Sequence, residues 1–167
     1  MAIEFGNGTS LGNVLCDMWR IHSNFSGNQN PVANNWERAD NANTGQNYSN
    51  VLTESSGIFS FTTLGWYSIS FSHYFYANNE HADWTEMFMG LSTDSGSNYD
   101  DLGHTQGWMQ GSGYHYNIPD RTIIFKVSDV STHRMRFRII VDNSSTITAG
   151  STNRQHTGFC IQKIADL

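Results

Sequence analysis

Arg134, Arg136 and Arg138 place three guanidinium groups at single-residue spacing. In an extended strand that spacing puts all three on one face, with His133, Met135, Phe137, Ile139 and Val141 on the other. The chain otherwise leans acidic, with nine Lys plus Arg, fifteen Asp plus Glu and a net charge of −6. The stripe is therefore either a solvated sheet face cross-paired with acids on adjacent strands or a docking stripe for an acidic shell, or a lectin-like anion site. A second cluster, Asp94-Ser95-Gly96-Ser97-Asn98-Tyr99-Asp100-Asp101, could offer loop oxygens to Ca²⁺ through Asp94, Asp100 and Asp101, because hard cations take carboxylates and carbonyls. It lacks the ligand order and final Glu of a calcium loop, so a solvated acidic loop is the simpler expectation.

The seven histidines, at 22, 73, 81, 104, 115, 133 and 156, are scattered, and no two stand at a recognised ligand spacing. There is no Gly-x-Ser-x-Gly elbow, and nothing identifies which His and Asp would complete a triad. Cys16 and Cys160 are too few for a disulfide framework and form no metal motif, so two reduced thiols are expected. The chemistry in these residues points to no catalytic site, no metal site and no resident cofactor.

The elements that would carry these residues read in period two. Leu15 to Ile21 predicts a strand with Leu15, Asp17, Trp19 and Ile21 on one face, followed by a long Asn-rich stretch. Ile58 to Thr62 predicts another, Thr63-Leu64 a short connection, and Gly65 to Tyr76 a long strand alternating Tyr67, Ile69 and Phe71 against Ser68, Ser70 and Ser72. Trp84 to Leu91, Arg121 to Val127, His133 to Val141 and Thr157 to Ile164 follow, while residues 92–117 read as loops with one or two short strands. No segment carries apolar residues at helical spacing. Some eight short strands with polar connections imply an all-β chain, best matched by a two-sheet antiparallel jelly-roll sandwich.

Composition bounds the rest. At 167 residues the chain suits one domain, read here as an N-terminal arm at 1–13 and a jelly-roll domain at 14–167. The arm is rich in Gly and Asn, with Ile3, Phe5 and Leu11 as isolated apolar residues able to dock on a neighbour. Aromatics at 13% exclude simple disorder, and the acidic balance argues against nucleic acid as a partner. No apolar run approaches a membrane span, and the first residues lack the pattern of a secretion signal, so neither membrane nor export is expected. The sequons at Asn7, Asn24, Asn47 and Asn143 are what chance yields in a chain so rich in Asn, Ser and Thr.

Asn47-x4-Leu52-x6-Phe59-x5-Gly65-x-Tyr67, closing with Phe71, resembles the signature of the complement C-one-q and tumour-necrosis-factor jelly-roll superfamily. Ile69 stands where that signature usually has Phe, and Asn41 where it has a leading Phe. Thr157 to Asp166 is similar to the final strand of the same family. Trp36-Glu37-Arg38, Gly57-Ile58-Phe59 and Val127-Ser128-Asp129-Val130 further resemble short jelly-roll structural proteins of marine bacteriophages. Physically, Gly65 permits backbone geometry a side chain would resist, and Leu52, Phe59, Tyr67, Ile69 and Phe71 would fill the space between two sheets. The resemblance implies a homotrimer, which would also cover aromatic surface at Trp19, Trp66, Trp84 and Trp108 that a small monomer buries poorly. It implies a capsid decoration (cement) protein on the outer surface of a phage virion, partnered by the major capsid protein. The alternative is a receptor-binding tip or fibre head that recognises host surface glycans through the Trp- and Tyr-rich stretch 104–116.

Overall fold

A computed structural model describes residues 3–4, 10–11, 15–39, 50–77, 84–109, 115–117 and 119–167, and everything below concerns those residues. They form sixteen strands and no helix: β1 (Ile3–Glu4), β2 (Ser10–Leu11), β3 (Cys16–Ile21), β4 (Phe25–Ser26), β5 (Trp36–Arg38), β6 (Leu52–Ser55), β7 (Ile58–Phe61), β8 (Gly65–Ser72), β9 (Phe75–Ala77), β10 (Trp84–Ser92), β11 (Asp100–Trp108), β12 (His115–Asn117), β13 (Asp120–Val127), β14 (Arg134–Val141), β15 (Ile147–Thr148) and β16 (Gly158–Ala165). Two antiparallel five-stranded sheets, in the orders β11-β10-β14-β7-β6 and β13-β8-β16-β3-β5, face each other as a sandwich. A four-stranded sheet, β12-β9-β15-β4, extends one end, and β1 pairs with β2.

The alternation that predicted the strands also selects the core. Tyr67, Ile69 and Phe71 of β8, Met87, Met89 and Leu91 of β10, Met135, Phe137, Ile139 and Val141 of β14, and Phe159 and Ile161 of β16 all point inward and are buried. Leu52 and Phe59 join them, so every hydrophobic residue of the spaced motif lies in one interior. At its centre Phe137 of one sheet meets Phe159 of the other at 4.9 Å between ring centroids, and Phe59 meets Phe159 edge-on at 5.1 Å. Trp36 packs within 5.6 Å of Phe59, Phe137 and Phe159 and donates its indole N–H to the Val32 carbonyl at 2.8 Å. Such edge and tilted contacts each add roughly 1 kcal/mol beyond the area they bury. Trp19 is buried too, so it belongs to the core and takes no part in the surface aromatic excess expected from the sequence.

Asp17 faces this interior and clamps one open side of the sandwich. Its Oδ2 accepts the Leu52 N–H at 2.8 Å and lies 3.4 Å from Arg38 Nη2, which joins β3 of one sheet to β6 of the other. Arg38 also donates to the Leu52 carbonyl and to the Asn50 side chain, with its guanidinium over the Trp19 ring. Burial raises the Asp17 carboxyl above its ordinary range, opposed by the Leu52 N–H and the Arg38 charge.

The structure corrects the predicted elements in three places. The Gly65–Tyr76 strand is two strands, β8 and β9, separated at His73-Tyr74. Burial alternates straight through that break, so periodicity could not reveal it; what changes is the hydrogen-bonding partner, with the His73 N–H going to the Pro119 carbonyl and the Tyr74 N–H to the Thr157 hydroxyl. The stretch 92–117 contains a nine-residue strand, β11, whose inward positions are Gly103, Thr105 and Gly107. Small inward residues carry no apolar alternation. They suit this strand because Ile123 of β13 presses against Gly103 where the sheets meet. The Asn-rich stretch after β3 holds β4 and β5, and β6 follows it.

Gly65 behaves as its place in the motif requires. Its φ of +152° lies where L side chains are strained, and a Cβ there would sit 2.6 Å from the Ala165 carbonyl oxygen. Asn47, Asn41 and most of the arm, Phe5 included, lie outside the described residues. Within the arm, Ile3 and Leu11 are register partners in the β1–β2 pair.

Candidate functional site

The arginine stripe falls on the outward face of the β11-β10-β14-β7-β6 sheet, and its three members have different surroundings. Arg134 is folded into the turn before β14, donating to the carbonyls of Val130, Ser131 and His133 at 2.7–3.0 Å. Arg138 donates to Asp101 Oδ2 at 2.7 Å and lies 4.1 Å over the Phe88 ring. Arg136 lies 4.1 Å over the Tyr99 ring, and no carboxylate or carbonyl of the described residues accepts its N–H groups. The stripe is thus not a uniform docking surface. One guanidinium is spent on backbone, one on an ion pair, and one is held flat with its donors unspent.

The neighbours that create this difference come from β10 and β11. Register sets Phe88 opposite both His104 and Arg138, and sets Gly90 opposite both Asp101 and Arg136. The Phe88 and His104 rings stack at 5.1 Å, and Glu86 Oε1 lies 3.9 Å from His104 Nε2. Gly90 has no side chain, so Tyr99, Asp101 and Arg136 close around bare backbone; a Cβ there would stand 3.4 Å from Tyr99 and 3.7 Å from Arg136. Burial raises the Tyr99 hydroxyl pKa, opposed by Arg136 and Arg134. The sequence reading missed Phe88, Tyr99, Asp101 and His104 as members of this face. Their signal was present only as cross-strand register, which one strand's alternation cannot supply.

The acidic segment before β11 is committed internally. Asp94 Oδ1 accepts the Asn98 N–H at 2.9 Å and the Ser92 hydroxyl at 2.7 Å, and Oδ2 accepts the Asn98 amide at 2.7 Å. The Asn98 N–H, then the Ser92 hydroxyl, hold its pKa down at about 2. With Asp101 turned to Arg138, the three carboxylates named for Ca²⁺ do not converge, and no group of three or more His, Cys, Asp or Glu among the described residues is placed to hold a metal ion. Asp94 organises the turn that leads into β11. Cys16 and Cys160 are free thiols on the outward face of the other sheet, Cys160 opposite Met18 and Cys16 opposite Gln162.

That other face, on β13-β8-β16-β3-β5, carries apolar side chains where a solvated sheet would carry polar ones. Trp66 is 42% exposed, Ile124 61% and Ile164 47%; register places Ser68 between Ile124 and Gln162, and sets Lys126 opposite Trp66. The signal was readable: Trp66 shares its phase with three serines, and Ile124 stands outward between two inward residues.

No family model and no curated protein sequence matches the chain. Solved structures do. A structure of Eiger TNF from S. frugiperda superimposes with a TM-score of 0.67 at 10% identity, covering 92% of this chain and 94% of that one. Murine APRIL at pH 8.5 gives 0.64 at 11% identity over 91% and 100%, and at pH 5.0 it gives 0.61 at 10% over 89% and 98%. The chain therefore has the tumour-necrosis-factor-like jelly-roll fold that the motif at 47–71 implied. At these identities the likeness extends to the fold alone.

Proposed function

We propose that this chain is a non-enzymatic structural module that self-associates as a homotrimer, and that the trimer decorates the outer surface of a bacteriophage head by binding the major capsid protein. The observation that carries self-association is the outward face of the β13-β8-β16-β3-β5 sheet, where Trp66, Ile124 and Ile164 are exposed around Ser68, with Lys126 the one charged neighbour opposite Trp66. Contiguous apolar surface of this kind is unfavourable in water and is a usual mark of an interface. A flat sheet face repeated around a closed axis would bury it in every copy. The number three and the virion setting rest on the sequence resemblance. The competing placement, a receptor-binding tip, shares the trimer and adds a surface for host glycan.

Light scattering on the purified chain tests the carrying step. The unmodified protein is expected at three times the monomer mass, and Trp66→Arg with Ile124→Asp at monomer mass with unchanged β-sheet circular dichroism. A monomeric unmodified protein, or a double variant that still assembles, sinks the reading.

A further inference from the structure

We propose that the outward face of the β11-β10-β14-β7-β6 sheet binds an acidic polysaccharide, with Arg136 taking a sugar carboxylate and Trp108 stacking on a ring further along the strand. This deepens the glycan reading of the receptor-tip placement and does not depend on how the other sheet's face is used.

Arg136 is the starting point. Its planar fork is held against Tyr99 and finds no acceptor among the described residues, while its stem packs over the bare backbone of Gly90. A guanidinium so held is suited to two-pronged binding of a carboxylate, with little rotamer freedom left to lose. From that level β11 runs outward-facing through His104 and Gln106 to Trp108, which is 59% exposed. At ~3.3 Å per residue this row is roughly 20 Å long, enough for several linked sugar rings. An indole face packs against the C–H face of a pyranose, and the Gln106 amide can donate to one hydroxyl and accept from another.

The same face discriminates between polyanions by their hydroxyls. Glu86 and Asp101 stand within it, and their carboxylates would repel a polyanion with no hydroxyl to offer, such as polyglutamate. Both carboxylates accept hydrogen bonds from hydroxyls. A chain with hydroxyls beside each carboxylate satisfies the acceptors and the one unspent fork together, which is the description of a uronic-acid polysaccharide.

Calorimetry with oligogalacturonate as probe, beside neutral dextran oligomers and polyglutamate, tests this. The unmodified protein is expected to bind oligogalacturonate and neither comparator. Arg136→Ala and Trp108→Ala should each weaken binding roughly tenfold or more, and Arg136→Lys should not restore it, because a point charge lacks the fork. Melting temperature and light scattering establish that each variant keeps its fold and assembly. Absence of oligogalacturonate binding overturns the proposal, as does equal binding of polyglutamate or undiminished binding by Arg136→Ala. If assembly fails while oligogalacturonate still binds, the trimer is wrong and this surface stands.

Discussion

His73 shows what a single residue contributes at the junction between β8 and β9. It is wholly buried, its Nε2 meets the Thr148 hydroxyl at 3.0 Å, its Nδ1 has no partner among the described residues, and its ring packs on Phe75. Burial without an opposite charge penalises the imidazolium and lowers the pKa from 6.5 to about 3. The unfolded chain therefore binds a proton more readily than the folded one, so the stabilisation is intact above about pH 6.5 and is lost as pH falls toward 3. In urea denaturation from pH 7 to pH 4, we expect a slope from this group of up to about 1.4 kcal/mol per pH unit. His73→Gln should lower stability at pH 7 and flatten that slope; an unchanged slope would show that another group sets it. His156, whose pKa burial also lowers, acts in the same direction from a more exposed position. None of this was legible at His73 in the sequence, where it is one of seven scattered histidines. Its strand phase marks it as inward, but isolation from acids is a property of the packed surroundings.

At the scale of elements, what the sequence conveyed depended on whether a strand's inward residues are large. β14 and β10 fill the core with Met, Phe, Ile, Leu and Val and were readable almost to their ends. β11 fills its place with glycine and threonine, and its stretch read as loops with one or two short strands. Two glycines mark the difference between a backbone limit and a packing limit. At Gly103 an added Cβ would lie 2.8 Å from Ile123 Cδ1, the movable end of a side chain. At Gly65 it would meet the Ala165 carbonyl and also require a strained φ. Gly65→Ala is expected to cost about 3 kcal/mol and Gly103→Ala about 1 kcal/mol or less, measured by chemical denaturation. Equal losses would mean that Ile123 cannot move. Gly65 was recognisable beforehand through the spaced motif, whereas Gly103 had no meaning until β13 was folded against it.

At the scale of the molecule, the two outward sheet faces have different characters. One is largely apolar around Trp66 and Ile124, with Lys126 beside them; the other carries arginines, carboxylates and stacked rings around Phe88 and Tyr99. Division of labour follows: self-association on the first, ligand on the second. The arm is the remaining attachment element of the proposed decoration role. Deleting residues 1–13 should abolish binding to phage heads in a co-sedimentation assay while leaving the mass of the free trimer unchanged. Full retention of head binding would remove the arm from that role.

Alternation of large apolar residues with polar ones, together with the spacing from Leu52 to Phe71, was enough by itself to specify an all-β sandwich and the residues inside it. That information is local, because period two assigns each side chain of a strand to one face or the other. Which strands become neighbours is not local. Cross-strand register, decided only when both sheets close around the Phe137–Phe159 centre, spent Arg134 on a turn and Arg138 on Asp101, and laid Arg136 on Tyr99 with its donors unspent. Three arginines identical in the sequence thereby became chemically different, because a side chain's partners are set by strands distant along the chain.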